Sequence, residues 1–210
     1  MSIAALANFT VPLASDQSAS TQGLLMPKLA YRFRISLENF GVSGSTTELT
    51  KQVSDAARPK VTFDTQTIDI YNSKVNYAGK PKWEAVTIKL RDDVTGAVSK
   101  LVGEQNQKQF DFFEQSSAAS AGDYKFTMRI EMLDGGNGAD TPVVLETWEC
   151  YGCFLTSTDY NATPLAYATA TPVMIALTIQ PDNCVQTGAT ASLGAPGFIQ
   201  KRDTTAILGG

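Results

Sequence analysis

The chain of 210 residues contains no histidine. Histidine is the commonest general base and the commonest metal ligand in proteins, so its absence excludes Ser-His and Cys-His nucleophilic sites within one chain. No phosphate-binding glycine loop and no convincing set of metal ligands takes its place. We therefore expect a protein that is not an enzyme and that uses no cofactor.

Cysteine is scarce, with three residues at Cys150, Cys153 and Cys184. Cys150 and Cys153 have the spacing of half a zinc site, but a four-ligand site would need a carboxylate or a neighbouring chain to complete it. An odd number of thiols also leaves one without an internal partner. Three interpretations stay open: reduced, half-buried thiols, a zinc site, or a disulfide between subunits through one of these cysteines.

The chain also lacks a basic excess and long apolar runs. Lysine and arginine number 17 against 21 acidic residues, a formal net charge of −4, which excludes the usual electrostatic nucleic-acid binder. Stretches such as Val173–Ile179 are far shorter than the roughly 20 residues that span a bilayer, so we expect no membrane insertion. The first charged residue is Asp16, so no basic segment of a secretory signal precedes it. We expect synthesis and assembly in the cytoplasm.

Alternation of apolar and polar residues is the dominant pattern, and it predicts a mainly β protein. From Val61 to Tyr77 the pattern is β throughout, and Asn72 and Ser73 break it into two arms, which predicts a long hairpin at Lys60–Gly79. Further strands are predicted at Leu29–Glu38, Glu48–Ser54, Trp83–Arg91, Tyr124–Leu133, Pro142–Phe154 and Val173–Gln180.

One helix is predicted midway, at about Asp93–Gln115. Asp92 or Asp93 can cap its N-terminus and interact with the positive end of its dipole. An apolar stripe begins at Val94 and reaches Phe112 and Phe113. The predicted fold is an antiparallel β-sandwich or barrel of about seven to eight strands with this helix inserted. Its domain spans residues 27–183, between an N-terminal extension at 1–26 and a C-terminal extension at 184–210.

Three segments carry a resemblance to a known family. They are Asn72-x-Lys74-x-Asn76-x-Ala78-Gly79 in the hairpin, the strand from Trp83 that ends in an acidic pair, and Gln107–Phe113 near the helix end. In this order they resemble the tail tube proteins of contractile-tailed bacteriophages, which are related in fold to the type VI secretion tube protein. The resemblance covers about Leu29–Pro181.

This resemblance implies a structural subunit of the virion that shares strands with its neighbours in a hexameric ring. Rings stack helically into a hollow tube that conducts genomic DNA. The implied partners are further copies of the chain, the tail sheath, the baseplate tube-initiator and tail terminator proteins, and, transiently in the lumen, the tape measure protein and DNA. The hairpin contacts the adjacent ring in this family, so contact residues are expected at Lys60, Lys74, Asn76 and Gly79.

Other functions remain open from the sequence. A type VI secretion-like tube protein or a baseplate tube-initiator would have the same fold. A ligand-binding β-sandwich is the alternative from a different class, and it would need exposed aromatic side chains clustered on one sheet face.

Overall fold

The computed structural model describes residues 27–43, 46–135, 142–168, 170–187 and 193–194. The chain divides into two compact units, residues 1–32 and 33–210. In the described part of the first unit, the Arg32 amide donates to the Leu29 carbonyl at 3.1 Å and closes a turn. The predicted strand at Leu29–Glu38 therefore begins only at Phe33.

The described residues form eleven strands and three helices, and every strand pair is antiparallel. The strands are β1 (Phe33–Glu38), β2 (Val53–Ala56), β3 (Val61–Ile70), β4 (Ser73–Trp83), β5 (Val86–Arg91), β6 (Phe110–Asp111), β7 (Ser116–Ser117), β8 (Phe126–Leu133), β9 (Val144–Asp159), β10 (Met174–Gln180) and β11 (Asn183–Thr187). The helices are α1 (Thr47–Gln52), α2 (Ala97–Gln109) and α3 (Ala121–Tyr124). None of these helices is long and apolar enough to cross a membrane.

The main sheet has seven strands in the order β1-β8-β9-β10-β5-β2, with β11 also paired to β9. The first half of the long strand β9 lies between β8 and β11, and its second half pairs with β10. Within the described residues the sheet is open, because β1 and β2 each pair with one strand only. The prediction of a mainly β, antiparallel fold with a helix midway is confirmed. The seven to eight predicted strands correspond to the seven-stranded main sheet, which within the described residues does not close into the predicted barrel.

The core is built by side chains that alternate along these strands. In β5, β8 and β10 every second residue is buried, as expected for a sheet with one face toward an apolar interior. Burying one such side chain contributes about 1.5–3 kcal/mol relative to leaving it exposed. The buried cluster combines both halves of the sheet with α2 and includes Ile35, Leu37, Ile88, Leu90, Val98, Leu101, Val102, Phe126, Met128, Leu155, Ile175, Leu177 and Ile179.

Gly152 lies where β9 passes from its β8-paired half to its β10-paired half. Its φ of 65° is one that residues with a side chain rarely adopt, and a Cβ at this position would lie 2.3 Å from an Asp182 carboxylate oxygen. The β8–β9 register also shifts here, between Cys150 and Cys153. This glycine therefore permits an irregularity in the strand that joins the two halves of the sheet.

Two predicted elements need correction. The predicted strand Glu48–Ser54 is wrong in its first part, because Thr47–Gln52 is the helix α1 and only the following residues extend as β2. The Thr50 amide donates to the Thr46 carbonyl at 3.1 Å, and this turn brings Leu49 into the core. Trp83 ends β4, so the strand predicted to begin there starts instead at Val86.

The predicted helix Asp93–Gln115 is shorter at both ends. Gly96, at φ 68°, precedes it, and the Asp93 carboxylate accepts from the Ala97 amide at 3.0 Å, as a capping aspartate does. Phe110 is extended and pairs with Ser117, which ends the helix. Val94 lies before the helix, and Val94, Phe112 and Phe113 are all exposed, so their assignment to the helix's apolar stripe is wrong.

The predicted N-terminal extension lies outside the described residues up to Met26, and residues 188–192 and 195–210 of the C-terminal one lie outside them too. The strand β11 continues across the predicted boundary between residues 183 and 184. The three-part division of the chain stays a prediction.

Candidate assembly surface

The hairpin formed by β3 and β4 is a two-stranded sheet of its own. Every residue from Phe63 to Lys82 is exposed except Gly79, which is half-buried. The eight residues from Phe63 to Ile70 give this exposed arm a length of about 26 Å at about 3.3 Å per residue. Its tip, at Tyr71 and Asn72, is also exposed.

One face of the outer hairpin is apolar. Ile68 lies directly opposite Val75, Gln66 lies opposite Tyr77, and Ile70 lies two residues beyond Ile68. Alternation along a strand therefore places Ile68, Ile70, Val75 and Tyr77 on the same side. Each is 48–51% exposed in the isolated subunit. A two-stranded hairpin is marginally stable alone in water, and contiguous exposed apolar surface is typical of interaction sites.

The opposite face of the outer hairpin is polar and internally bonded. The Thr67 hydroxyl donates to the Asn76 side-chain oxygen at 2.7 Å, and Lys74 lies 3.2 Å from the Asp69 carboxylate. The structure thus brings the predicted contact residues Lys74 and Asn76 together, on the face opposite the apolar one. Their role in a contact stays a prediction.

The other two predicted contact residues lie toward the base of the hairpin. The Lys60 ammonium is 2.9 Å from the Glu84 carboxylate. Gly79 lies in an irregularity of the β3–β4 register, where a Cβ would be 2.9 Å from the Asp64 carbonyl oxygen. The sequence predicts these alternating apolar residues as strands but not the exposed face that they form together. That alternation was the available signal for the apolar face.

Trp83 fixes the base of the hairpin to the core. Its ring is buried, its Nε1 donates to the Asn183 side chain at 3.2 Å, and its carbonyl accepts from Gln180 at 2.9 Å. Arg58, just before β3, forms an ion pair with the buried carboxylate of Glu146. The arm therefore extends from a base that is anchored in the core.

A second exposed feature is the aromatic turn, residues 110–115, which follows α2. The rings of Phe110 and Phe112 meet edge to face with centroids 5.4 Å apart, and Phe113 is 94% exposed. The Asp111 carboxylate accepts from the backbone amides of Glu114 and Phe113 at 3.1 and 2.8 Å, and these bonds lower the pKa of Asp111. The turn is thus fixed locally while its rings face solvent.

The outer face of β1, β8 and β9 carries charges that are paired within the subunit. Arg34 bonds to Glu131 at 2.6 Å, and Arg129 bonds to both Glu38 and Glu149, at 3.0 and 3.1 Å. Because these arginines already have acidic partners, the face does not present free positive charge to a polyanion.

All three cysteines are free and buried in the core. Burial raises the pKa of Cys153 to about 12, and a hydrogen bond with Cys184, followed by burial, raises the pKa of Cys150. A disulfide between subunits would require one of these thiols to become exposed, and it stays a prediction. Among the described residues no group of three or more Cys, Asp or Glu side chains is arranged to hold a metal ion.

No protein-family model and no curated protein matches the chain. Solved structures do. A chain of the anti-feeding prophage cap (AFP tube terminating cap) aligns with a TM-score of 0.58 and 15% identity over 82% of this chain and 99% of that one. A chain of the PVC sheath/tube terminator, from an extracellular contractile injection system, aligns with a TM-score of 0.54 and 17% identity over 79% of this chain and 100% of that one. A chain of the PVC sheath-tube complex aligns with a TM-score of 0.52 and 17% identity over 77% of this chain and 92% of that one.

These similarities define a class of fold. The chain has the tail tube-like fold that occurs in tube, sheath-tube and terminator assemblies of contractile injection systems. The fold implied by the sequence resemblance is therefore confirmed.

Proposed function

We propose that this chain is the tube subunit of a contractile phage tail. Hexameric rings of it would stack helically into a hollow tube that conducts genomic DNA into the host. The observation that carries the proposal is the half-exposed apolar face of the hairpin, defined by Ile68, Ile70, Val75 and Tyr77, on a tail tube-like fold. An adjacent ring would cover this face.

Sharing of strands between subunits suits the open sheet. The edges of β1 and β2 each lack a second strand among the described residues, and unpaired edges favour pairing with another chain. If each of six subunits gives four strands to an inner barrel, a spacing of about 4.8 Å encloses a backbone circle roughly 37 Å across. After side chains are subtracted, roughly 25 Å remains, which admits a DNA duplex.

The charge of the chain suits passage of DNA through the lumen. A net charge of −4 limits the phosphate contacts that would slow a sliding polyanion. In this proposal the sheath surrounds the tube, the baseplate initiator and tail terminator proteins bind its ends, and the tape measure protein occupies the lumen before DNA. The subunit would assemble in the host cytoplasm and belong to the virion.

A terminator or initiator role is the second candidate. It is favoured by the likeness to chains from a tube terminating cap and a sheath/tube terminator. Copy number discriminates the two roles, because a tube subunit is present in many rings per particle and a terminator or initiator in one or two. Quantitative mass spectrometry of purified particles, with the sheath protein as the internal standard, measures this number. If the purified particles that contain this chain carry no genome, a type VI-like injection tube is favoured instead.

Negative-stain electron microscopy tests self-assembly and the hairpin contact together. We expect concentrated wild-type protein to form hollow rings or tubes, and the double variant I68T/V75T to remain monomeric with an unchanged circular dichroism spectrum. V94T is the matched control, because Val94 is also exposed but lies outside the hairpin.

A hairpin variant that forms tubes like the wild type would contradict the assignment of this face. Wild-type protein that stays monomeric at every concentration would contradict self-assembly and favour a ligand-binding module.

A further inference from the structure

Two of the three buried thiols lie directly opposite each other on neighbouring strands. Cys184 on β11 is the cross-strand partner of Cys150 on β9, and their Sγ atoms are 3.0 Å apart. Cys153 has a different neighbour, because its partner on β8 is Phe126 and its thiol donates to the Cys150 carbonyl at 3.2 Å. The thiols are therefore not equivalent.

We propose that Cys150 and Cys184 form an internal disulfide under oxidising conditions, while Cys153 remains a thiol. This modification would join β11 covalently to β9 within one subunit. It does not depend on the tube function, because both cysteines lie on paired strands of one subunit.

The backbone already satisfies the requirements of this bond. Opposite residues of an antiparallel pair have Cα atoms about 4.5–5.5 Å apart. Disulfides span Cα distances of about 4.4–6.8 Å, so no backbone movement is needed. The two sulfurs must approach by about 1 Å to reach the bonded length of about 2.05 Å, which a small side-chain rotation supplies.

The oxidation balances with a small disulfide such as oxidised glutathione as the oxidant. The Cys150 thiolate attacks one glutathione sulfur and releases the first reduced glutathione. The Cys184 thiolate then attacks the Cys150 sulfur of this mixed disulfide and releases the second. Two electrons pass to glutathione, and the two cysteine protons end on the two glutathione thiols.

Burial makes this reaction slow in the closed subunit. The attacking species is the thiolate, and both the burial and the raised pKa of Cys150 disfavour it. Among the described strands β11 pairs only with β9, so local opening of β11 is the simplest route to exposure. We therefore expect the bond to form readily during folding and only slowly afterwards.

The test is refolding of the full chain from denaturant in a buffer of reduced and oxidised glutathione. After acid quenching, free thiols are alkylated under denaturing conditions and the disulfides are located by peptide mass mapping. Before alkylation we expect an intact mass about 2 Da below that of the reduced chain; after it we expect one bond between Cys150 and Cys184 and an alkylated Cys153. C153A should form the same bond, and C184A should form none.

Thermal unfolding supplies the second measurement. The oxidised wild type and C153A should unfold several degrees above their reduced forms, whereas C184A should show no such difference. Three alkylated cysteines in the refolded wild type would overturn the proposal. So would a main bond that involves Cys153, or covalent dimers on a non-reducing gel, which would instead support the predicted disulfide between subunits.

Discussion

Glu104 holds the loop that follows β1 against α2. Its carboxylate accepts from the Val42 and Ser43 amides, each at 2.9 Å, and from the Ser43 hydroxyl. These bonds, with that of the Ser43 side chain the strongest, lower the pKa of Glu104 from 4.5 to about 2. One carboxylate on α2 thus bonds to two backbone amides of this loop.

We expect Glu104→Gln to destabilise the subunit by about 1–2 kcal/mol at pH 7, because a neutral amide accepts more weakly and its NH₂ group opposes one donor. The folded-state pKa is lowered, so the carboxylate's contribution is complete above about pH 4.5 and is lost as pH falls toward about 2. Urea unfolding at pH 7 and pH 3 measures the difference.

Glu114→Gln is the control for this prediction, because Glu114 is exposed in the aromatic turn and should change stability little at either pH. A Glu104→Gln deficit of the same size at pH 7 and pH 3 would contradict the assigned role of the charge.

At the scale of elements, side-chain amides of α2 form hydrogen bonds along the free edge of β9. Beyond Cys153 the strand β9 has no β8 partner. There Gln109 donates to the Leu155 carbonyl at 2.8 Å and accepts from the Leu155 amide at 3.2 Å, as a neighbouring strand would. Asn106 accepts from the Thr158 hydroxyl at 3.1 Å, one turn earlier on the helix. The helix therefore covers an edge that would otherwise be open.

We expect Gln109→Ala to lower the free energy of unfolding by about 1–3 kcal/mol, because it leaves the backbone amide and carbonyl of Leu155 without their side-chain partner. Gln107→Ala is the control on the same helix; its exposed side chain accepts only a long hydrogen bond from the Phe112 amide, at 3.4 Å, and its effect should lie within about 0.5 kcal/mol. Denaturant unfolding compares the two variants. Hydrogen exchange at Leu155 should be faster in Gln109→Ala, and equal stabilities of the two variants would argue against this edge-covering role.

Local sequence patterns predict some of these elements and not others. Strands β5, β8 and β10 alternate cleanly because one of their faces is buried, and the sequence predicts all three. The part Glu48–Gln52 of the predicted strand Glu48–Ser54 is helical, because contact with the core makes this short helix favourable. The pairing of β11 with β9 and the hydrogen bonds of the Gln109 side chain join residues about 40 positions apart in the sequence. No local pattern contains this information.

The hairpin of the candidate site illustrates the same division. Its two arms are predicted by the alternation of apolar and polar residues, and its turn by the break in that alternation at Asn72. The separation of an apolar face from the face of Lys74 and Asn76 follows from the cross-strand register, which depends on the turn and on the irregularity near Gly79.

At the scale of the whole molecule, the proposed assembly would join subunits of like charge. Each copy carries a net charge of −4, so copies repel one another at low ionic strength. The proposed contact face, Ile68, Ile70, Val75 and Tyr77, is apolar, and burial of apolar surface is not weakened by moderate salt. Repulsion and attraction therefore respond differently to the concentration of salt.

We expect the concentration of subunit needed for tube formation to fall severalfold between about 20 mM and about 300 mM NaCl, because the Debye length shrinks from above 20 Å to about 6 Å and screens the repulsion. Sedimentation of tubes over a dilution series measures it, with Lys74→Ala as a variant that removes charge from the polar hairpin face. If the required concentration instead rises with salt, and Lys74→Ala abolishes that rise, ion pairs on the Lys74 face hold the rings together. In that case the apolar face would not be the main contact between rings.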